Sequence, residues 1–330
     1  MKTIHIGLVA DPASPTKIAR RISHLESPGG EDRDAWDIEV VSEPFTTGSE
    51  DLVTAVARLG DHARQHEWDL VVGLTELPLR DNNRYLLVAT DSQRRIAVLS
   101  LPALGGLRMN ARARHEVRAL IISMADPTPQ DERVPLPRVR GRWRLLLGMV
   151  LANRPWLLVP GLKSALVAAL ATGAVATINS TVWQLAAAMS WWRLAIATIA
   201  SVALVVAWLV IDGQLWDRPD HDSAQARERS RLYNTSTLVS LTVGVLICYV
   251  ALYVVNLGWA LFVLDPAVVS GYLPASLGFG DLLVLTWFVA SAATVGGGLG
   301  SGLESDEAIR AAAYSKREEE RRNQLARERS

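Results

Sequence analysis

The chain contains a single cysteine, Cys248, no surplus of either charge and only six histidines, which are scattered. One cysteine excludes an intramolecular disulfide framework and a metal site built from several cysteines. Lysines and arginines number 34, and aspartates and glutamates also number 34. With no basic excess, the chain lacks the electrostatic signature of a nucleic-acid-binding protein.

The charges are distributed unevenly along the 330 residues. Residues 1–133 carry 16 basic and 20 acidic side chains and are typical of a soluble acidic domain. Beyond them, four runs contain no charged residue: 164–192, 194–211, 232–264 and 282–303. A bilayer core needs about 20 apolar residues in a helix, so each run is long enough for about one span. We expect four transmembrane helices near 162–183, 194–212, 237–263 and 281–302.

Basic residues between these runs predict the orientation of the spans. They are numerous before the first span, between the second and third, and after the fourth. The other two loops contain only Arg193, at the far end of the first loop. Because cytoplasmic loops are enriched in lysine and arginine, we expect both termini to lie in the cytoplasm. The expected location is the cell (inner) membrane. Residues 1–133 then form a cytoplasmic domain.

The soluble part alternates short apolar runs with amphipathic segments, in the order β-α-β-α-β-β-β-α. This order predicts an α/β domain with a mixed sheet, including a hairpin between 84–89 and 95–101. The fold class is therefore an α/β domain followed by an all-α domain of four transmembrane helices. We expect an α/β domain at 1–134 and a Pro/Arg-rich linker with a juxtamembrane helix at 135–160. The membrane domain is expected at 161–303 and a charged helical cytoplasmic tail at 304–330.

Ligand binding is expected at the ends of two predicted strands. The turn after the first strand leads into a helix, and free N–H groups at such a position often bind phosphate. Ordinary helix capping is the favoured alternative, because the phosphate-binding glycine motifs are missing here and two prolines remove N–H donors. The candidate ligand-binding residues are Asp11, Ser14, Thr16, Lys17 and Glu76.

Four arginines occupy every second position before an apolar segment: Arg138, Arg140, Arg142 and Arg144. They follow a proline-rich stretch and precede the first predicted span. We expect a juxtamembrane helix whose arginines contact anionic lipid headgroups. A purely topogenic role is the alternative.

The last predicted helix of the soluble domain contains His115-Glu116, the beginning of an H-E-x-x-H zinc motif. This helix follows the segment 70–79 and the predicted hairpin. Together they resemble the archaemetzincin branch of the zinc metalloproteases, over about residues 4–119. The resemblance implies a zincin-like scaffold. The remaining motif positions hold Ala119, Ile122 and Ala125, so one histidine is left to ligate and no catalytic zinc is expected.

The overall plan also resembles a type of actinobacterial membrane protein of unassigned role, through Asn-Arg-Pro-Trp at 153–156 and Gly-Leu-Glu-Ser-Asp-Glu at 302–307. That resemblance implies four spans and a cytoplasmic α/β domain, without an activity. We expect a non-catalytic binding or regulatory domain, with no cofactor. Its partners are expected to be anionic lipids and a protein partner or a second copy, and not nucleic acid. A membrane-tethered enzyme acting on a nucleotide, folate-like or peptide substrate, and a transporter subunit, are the alternatives.

Overall fold

A computed structural model of the chain describes residues 3–12, 14–25, 35–46, 52–81, 84–106, 108–126, 130–217, 224–265 and 278–300. The chain divides between Ala152 and Asn153 into two compact units. The first unit is an α/β domain and the second is helical, which confirms the predicted fold class. The predicted tail at 304–330 lies outside the described residues.

The first unit contains seven strands and four α-helices among its described residues. The strands are β1 (Thr3–Ala10), β2 (Ala35–Ser42), β3 (Leu70–Thr75), β4 (Leu79–Asp81), β5 (Arg84–Asp91), β6 (Ile96–Ser100) and β7 (Arg133–Pro135). The helices are α1 (Ser14–Ile22), α2 (Leu52–Gln65), α3 (Met109–Ala125) and α4 (Arg138–Ala152). A short 3₁₀ helix, Pro102–Leu104, connects β6 with the segment before α3.

The strands form one mixed sheet in the order β2-β1-β3-β6-β5-β4, and β7 pairs with β5. The first four strands in this order are parallel, whereas β5 runs antiparallel to β6, β4 and β7. The expected hairpin is the β5–β6 pair, in which Val88 lies opposite Leu99. The apolar parallel strands β3 and β6 are buried along their whole length, as expected for strands covered on both faces.

Helices cover the two faces of this sheet. The chain moves from β1 to β2 in one direction and from β2 to β3 in the other, so right-handed crossovers place α1 and α2 on opposite faces. On the α2 face, two strand glycines admit large side chains: the Trp68 ring lies over Gly7, and Leu59 of α2 lies over Gly73. These contacts build a core in which Leu59 is fully buried.

Two short strands, β4 and β7, were not expected from the sequence. β7 crosses the predicted boundary between the α/β domain and the linker that begins at residue 135, and it follows Glu132, whose N–H donates to Thr90 Oγ1 (2.6 Å). Asp131 accepts hydrogen bonds from the Ser92 N–H (2.7 Å) and hydroxyl (2.6 Å). These contacts hold the segment against β5, and Pro135 is tolerated because it occupies an edge strand.

The second unit contains six α-helices among its described residues. They are α5 (Leu158–Gly161), α6 (Lys163–Thr177), α7 (Ser180–Ala188), α8 (Trp191–Asp212), α9 (Ala224–Val263) and α10 (Phe279–Gly300). Three of them, α8, α9 and α10, contain apolar stretches long enough to cross a membrane, and a fourth span exists if a bent helix pair ending at Thr177 counts as one. These helices support a multi-pass membrane protein.

The first predicted span differs from the structure, because it is divided into α6 and α7. Asn179 interrupts the apolar run, and its Oδ1 accepts a hydrogen bond from the Thr181 N–H (2.9 Å), which caps α7. A small polar residue that caps a new helix ends the previous one, and a count of uncharged residues does not detect it.

Glycines of α10 allow close packing against α6, as the glycine-rich sequence of the fourth span predicts. A Cβ at Gly297 would lie 2.7 Å from the Ala165 carbonyl oxygen, and one at Gly296 would lie 3.0 Å from Thr172 Oγ1. The sequence also contains a G-x-x-x-G pattern formed by Gly298 and Gly302; Gly298 faces Val205 of α8, and Gly302 lies outside the described residues. The glycines therefore act in helix packing here.

Candidate functional site

The carboxyl ends of the parallel strands form the candidate site of the α/β domain. Strand β1 lies between β2 and β3, so the chain leaves β1 toward one side and β2 toward the other. In open α/β sheets, ligands bind outside the carboxyl ends of the strands at such a reversal of strand order. The residues that end or follow β1, β2 and β3 are therefore the first to consider.

Asp11 follows β1 and is fully buried at this point. Its Oδ2 accepts hydrogen bonds from Thr75 Oγ1 (2.7 Å) and Thr46 Oγ1 (3.2 Å). Its N–H donates to the Leu74 carbonyl oxygen (3.0 Å). A buried carboxylate needs donors of this kind, because an unpaired charge away from water is costly. The three strand ends are therefore joined through one side chain.

Thr16, in the first turn of α1, closes the loop between β1 and α1. Its hydroxyl lies 2.9 Å from the Asp11 carbonyl oxygen and 2.8 Å from Ser42 Oγ, at the end of β2. Since these contacts hold the Thr16 hydroxyl inside the protein, they favour a structural role for it over direct phosphate binding. We refer to Asp11, Thr16, Thr46 and Thr75 as the Asp11 cluster.

The other predicted ligand-binding residues surround this cluster without joining it through the hydrogen bonds described above. Ser14 is half-buried at the start of α1, and Lys17 is exposed one turn later. Glu76 is half-buried directly after Thr75 and has a partner of its own. Lys17 and Glu76 therefore place one charge of each sign near the rim.

Thr46 and Thr75 were missed by the sequence analysis. Thr75 is the last residue of β3, and Ser100 is the last residue of β6, where its hydroxyl donates to the Leu77 carbonyl oxygen (2.8 Å). The available signal for Thr75 and Ser100 was a polar residue at the carboxyl end of an apolar strand, whereas Thr46 lies in the loop after β2. It becomes useful only when the strand order is known, because the order decides which strand ends are neighbours.

The polar side-chain atoms of the Asp11 cluster are all oxygen atoms. The cluster contains one carboxylate and three threonine hydroxyls, and because all four side chains are buried, they position the loops at this edge. Within the described ranges, no three His, Cys, Asp or Glu side chains are arranged to hold a metal ion.

His115 and Glu116 lie in the middle of α3. The His115 side chain is exposed and Glu116 is half-buried. Ala119, one turn later, is also exposed, so the position of the second motif histidine presents a methyl group to solvent. The zincin-like geometry would need a ligand there.

The four arginines of the predicted lipid-binding segment lie on α4. Arg140 and Arg142 are exposed, whereas Arg144 is half-buried; the Arg138 side chain lies outside the described part. Trp143 and Leu147 are also exposed, 65% and 53% respectively, and together with Arg140 they form one stripe along the helix. The opposite side packs on the α/β domain, where Gly148 lies against Pro102.

The helical unit contains a buried group of polar side chains that the sequence analysis also missed. Thr198 Oγ1 lies 3.2 Å from Tyr249 OH and 3.1 Å from Ser291 Oγ, and it accepts a hydrogen bond from Trp287 Nε1 (2.7 Å). Tyr249 and Ser291 are themselves 3.0 Å apart. These four residues, called the Thr198 cluster below, join α8, α9 and α10. Trp287, expected to be a packing residue, is partly buried and packs on the helical core.

Comparison with protein-family models, curated proteins and solved structures finds no match for this chain.

Proposed function

We propose that this protein is a multi-pass protein of the cell membrane with both termini in the cytoplasm. Its α/β domain binds a ligand or a protein partner without catalysis, in a regulatory or scaffold role. The observation that carries the proposal is the Asp11 cluster, which gathers polar groups from three strand ends at the reversal of strand order.

Hydrogen bonding within the cluster favours binding over catalysis. Both threonine hydroxyls that contact the Asp11 carboxylate donate to it, so the carboxylate organises the loops around it. A general base must reach a proton of its substrate, and this carboxylate is fully buried. The loops that it fixes form a rim for recognition.

Membrane attachment is proposed to include the outer stripe of α4. Arg140, Trp143 and Leu147 combine a cation, an indole ring and an aliphatic side chain on one exposed side. This combination suits the interface between headgroups and acyl chains, where each arginine contributes on the order of 1 kcal/mol on an anionic surface. The transmembrane helices supply the permanent anchor.

Native mass spectrometry of the full-length protein tests the ligand. The protein is purified in detergent, incubated with a small-molecule extract of its host cells and compared with the Asp11→Asn and Thr75→Val variants. A bound mass that is present in the unchanged protein and lost from both variants supports the proposal. Thr90→Val is the matched control, since Thr90 belongs to β5 and contacts Glu132. A mass retained by the Asp11 and Thr75 variants would contradict it.

A further inference from the structure

Two arginines share one position over a glycine that ends the 3₁₀ helix after β6. Gly105 has a φ of 81°, and its N–H donates to the Pro102 carbonyl oxygen (3.0 Å). A Cβ built on this glycine would lie 3.4 Å from Arg112 Nη1 and 3.5 Å from Arg144 Nε. The nearest atom to this Cβ would be Arg144 Cγ (3.0 Å), so the two arginine side chains meet over the glycine, one from α3 and one from α4.

A hydrogen bond orients one of these arginines, whereas the other has an N–H donor without an acceptor among the described residues. Arg112 Nη1 donates to the Leu104 carbonyl oxygen (2.7 Å), which orients its planar group. Arg144 Nε is buried and has no acceptor in the part of the chain that the structure describes. A buried N–H donor without an acceptor is destabilising, so the site gains from a ligand that supplies an oxygen atom.

Electrostatics at this position also favours an anion. Burial and the positive charge of Arg112 lower the pKa of Arg144, and Glu116 opposes this shift. Arginine nonetheless remains protonated near neutral pH, so two positive charges lie close together here, with the Glu116 carboxylate as the opposing charge. Arg108, which is exposed, directly precedes α3 and adds a third positive charge beside a helix N-terminus, where negative charge is favoured.

We propose that Arg112 and Arg144 form a binding site for a phosphate group, supplied either by a soluble phosphate compound or by an anionic lipid headgroup. A guanidinium group presents N–H donors in a planar fork that matches phosphate oxygens, and a tetrahedral phosphate can contact two forks at once. The assignment separates Arg144 from the exposed Arg140 and Arg142. It does not rest on the function proposed for the Asp11 cluster.

Titration of the full-length protein with inorganic phosphate, followed by isothermal calorimetry in a nonionic detergent at low salt, tests the site. We expect one phosphate per chain, with Arg112→Gln and Arg144→Gln each weakening affinity by about tenfold or more, since a hydrogen bond to a charged group is worth about 1.5–3 kcal/mol. Arg118→Gln is the matched control, because Arg118 is an exposed arginine on the same helix. Loss of affinity in this control equal to that in the two variants, or no saturable binding, would overturn the proposal.

Nanodiscs distinguish the two sources of phosphate. The titration is repeated in nanodiscs of phosphatidylcholine alone and in nanodiscs that also contain phosphatidylglycerol. If a lipid headgroup fills the site, phosphatidylglycerol weakens phosphate binding to the unchanged protein. If the ligand is soluble, affinity is the same in both nanodiscs. Either result supports the site, provided that the two arginine variants lose binding in phosphatidylcholine.

Two further variants separate this site from misfolding and from the Asp11 cluster. Arg144→Lys keeps the charge and the aliphatic stem but removes the fork, so we expect unchanged thermal unfolding with weaker phosphate binding. Phosphate affinity of Arg144→Lys equal to that of the unchanged protein would contradict the role of the fork. Asp11→Asn should retain phosphate binding, so failure of the proposed function and failure of this site give different results.

Discussion

The two units of the protein use buried polar side chains in different ways. In the α/β domain, Asp11, Thr75 and Ser100 are fully buried, and all three lie at the carboxyl ends of parallel strands. In the helical unit, buried hydroxyls are distributed along the helices, and many donate to the carbonyl oxygen four residues earlier: Thr177 to Gly173, and Thr294 to Ala290. Polar side chains therefore gather at one edge of the sheet in the α/β domain. In the helical unit, many hydroxyls instead donate to a carbonyl oxygen of their own helix.

This difference follows from the geometry of the two kinds of element. A parallel strand ends with polar groups that its neighbours can reach, so several strand ends can build a common site. A transmembrane helix satisfies its own backbone, and a hydroxyl on it finds an acceptor within its own helix. The Thr198 cluster adds contacts between three helices, although Thr198 and Ser291 also lie within hydrogen-bond distance of carbonyl oxygens four residues earlier. In this account, the helical unit anchors the protein and the α/β domain recognises its ligand.

Substitution of glycine is expected to give the largest effect, and the size of that effect depends on what packs over the glycine. In Gly7→Ala, the new Cβ would lie 2.0 Å from the Trp68 ring, and we expect a loss of about 3 kcal/mol or more in the free energy of unfolding. In Gly258→Ala on α9, nothing lies within 4 Å of the new Cβ, and no loss is expected. Thermal unfolding of both variants, followed by tryptophan fluorescence, checks the pair. Equal losses would contradict the close contact of the Trp68 ring with Gly7.

Removal of the Asp11 carboxylate is expected to have the next largest effect. Asp11→Ala leaves the hydroxyls of Thr46 and Thr75 without this acceptor, so stability should fall by about 1–3 kcal/mol. In the double variant with Thr75→Val, the loss should be smaller than the sum of the two single losses, because both remove the same hydrogen bond. Urea denaturation measures all three values, and strict additivity would contradict the cluster.

The Thr198 cluster should contribute less. Ser291→Ala removes one hydroxyl from a group of four, and hydrogen bonds between transmembrane helices average about 0.6 kcal/mol. Thr198→Val should cost more than Ser291→Ala, since Thr198 contacts the other three members. Unfolding in mixed micelles with increasing denaturing detergent ranks the two variants. A larger effect for Ser291→Ala would show that Thr198 is not the centre of the cluster.

The smallest expected effect concerns Asp131 at the exposed edge of the α/β domain. Hydrogen bonds from the Ser92 hydroxyl and N–H lower the pKa of Asp131 from its ordinary value of 3.8. A carboxyl group with a lowered pKa stabilises the fold above its ordinary pKa, and this contribution disappears as the pH falls through the pKa of the folded state. Asp131→Asn should therefore flatten the acid side of the stability profile slightly below about pH 4. An unchanged profile would contradict the assignment.

The longer strands and helices could be predicted from the sequence, whereas the shortest strands and a break within a helical run could not. The short apolar run from Ile4 to Ala10 predicts the first strand, which the structure shows from Thr3 to Ala10. Strands β4 and β7 have three residues each, which is too short to show an alternating pattern. The break at Asn179 was missed for a related reason, since one capping residue changes neither charge nor hydropathy by much.

The candidate site was predicted only in part. Asp11 and Thr16 are close in sequence, and the strand-to-helix turn is enough to select them. Thr46 and Thr75 join them because β1 lies between β2 and β3, and this order depends on packing between segments far apart in the chain. Arg112 lies on α3 and Arg144 on α4. They are far apart in the sequence, and only folding brings both to Gly105.

Hydrogen–deuterium exchange on the full-length protein tests most directly whether the α/β domain is the unit that recognises a ligand. Exchange is measured in detergent with and without the small-molecule extract of the host cells. The account predicts added protection in peptides that contain Asp11 and residues 74–77, with no change in α8, α9 or α10. Protection confined to those three helices, with the Asp11 cluster unchanged, would contradict it.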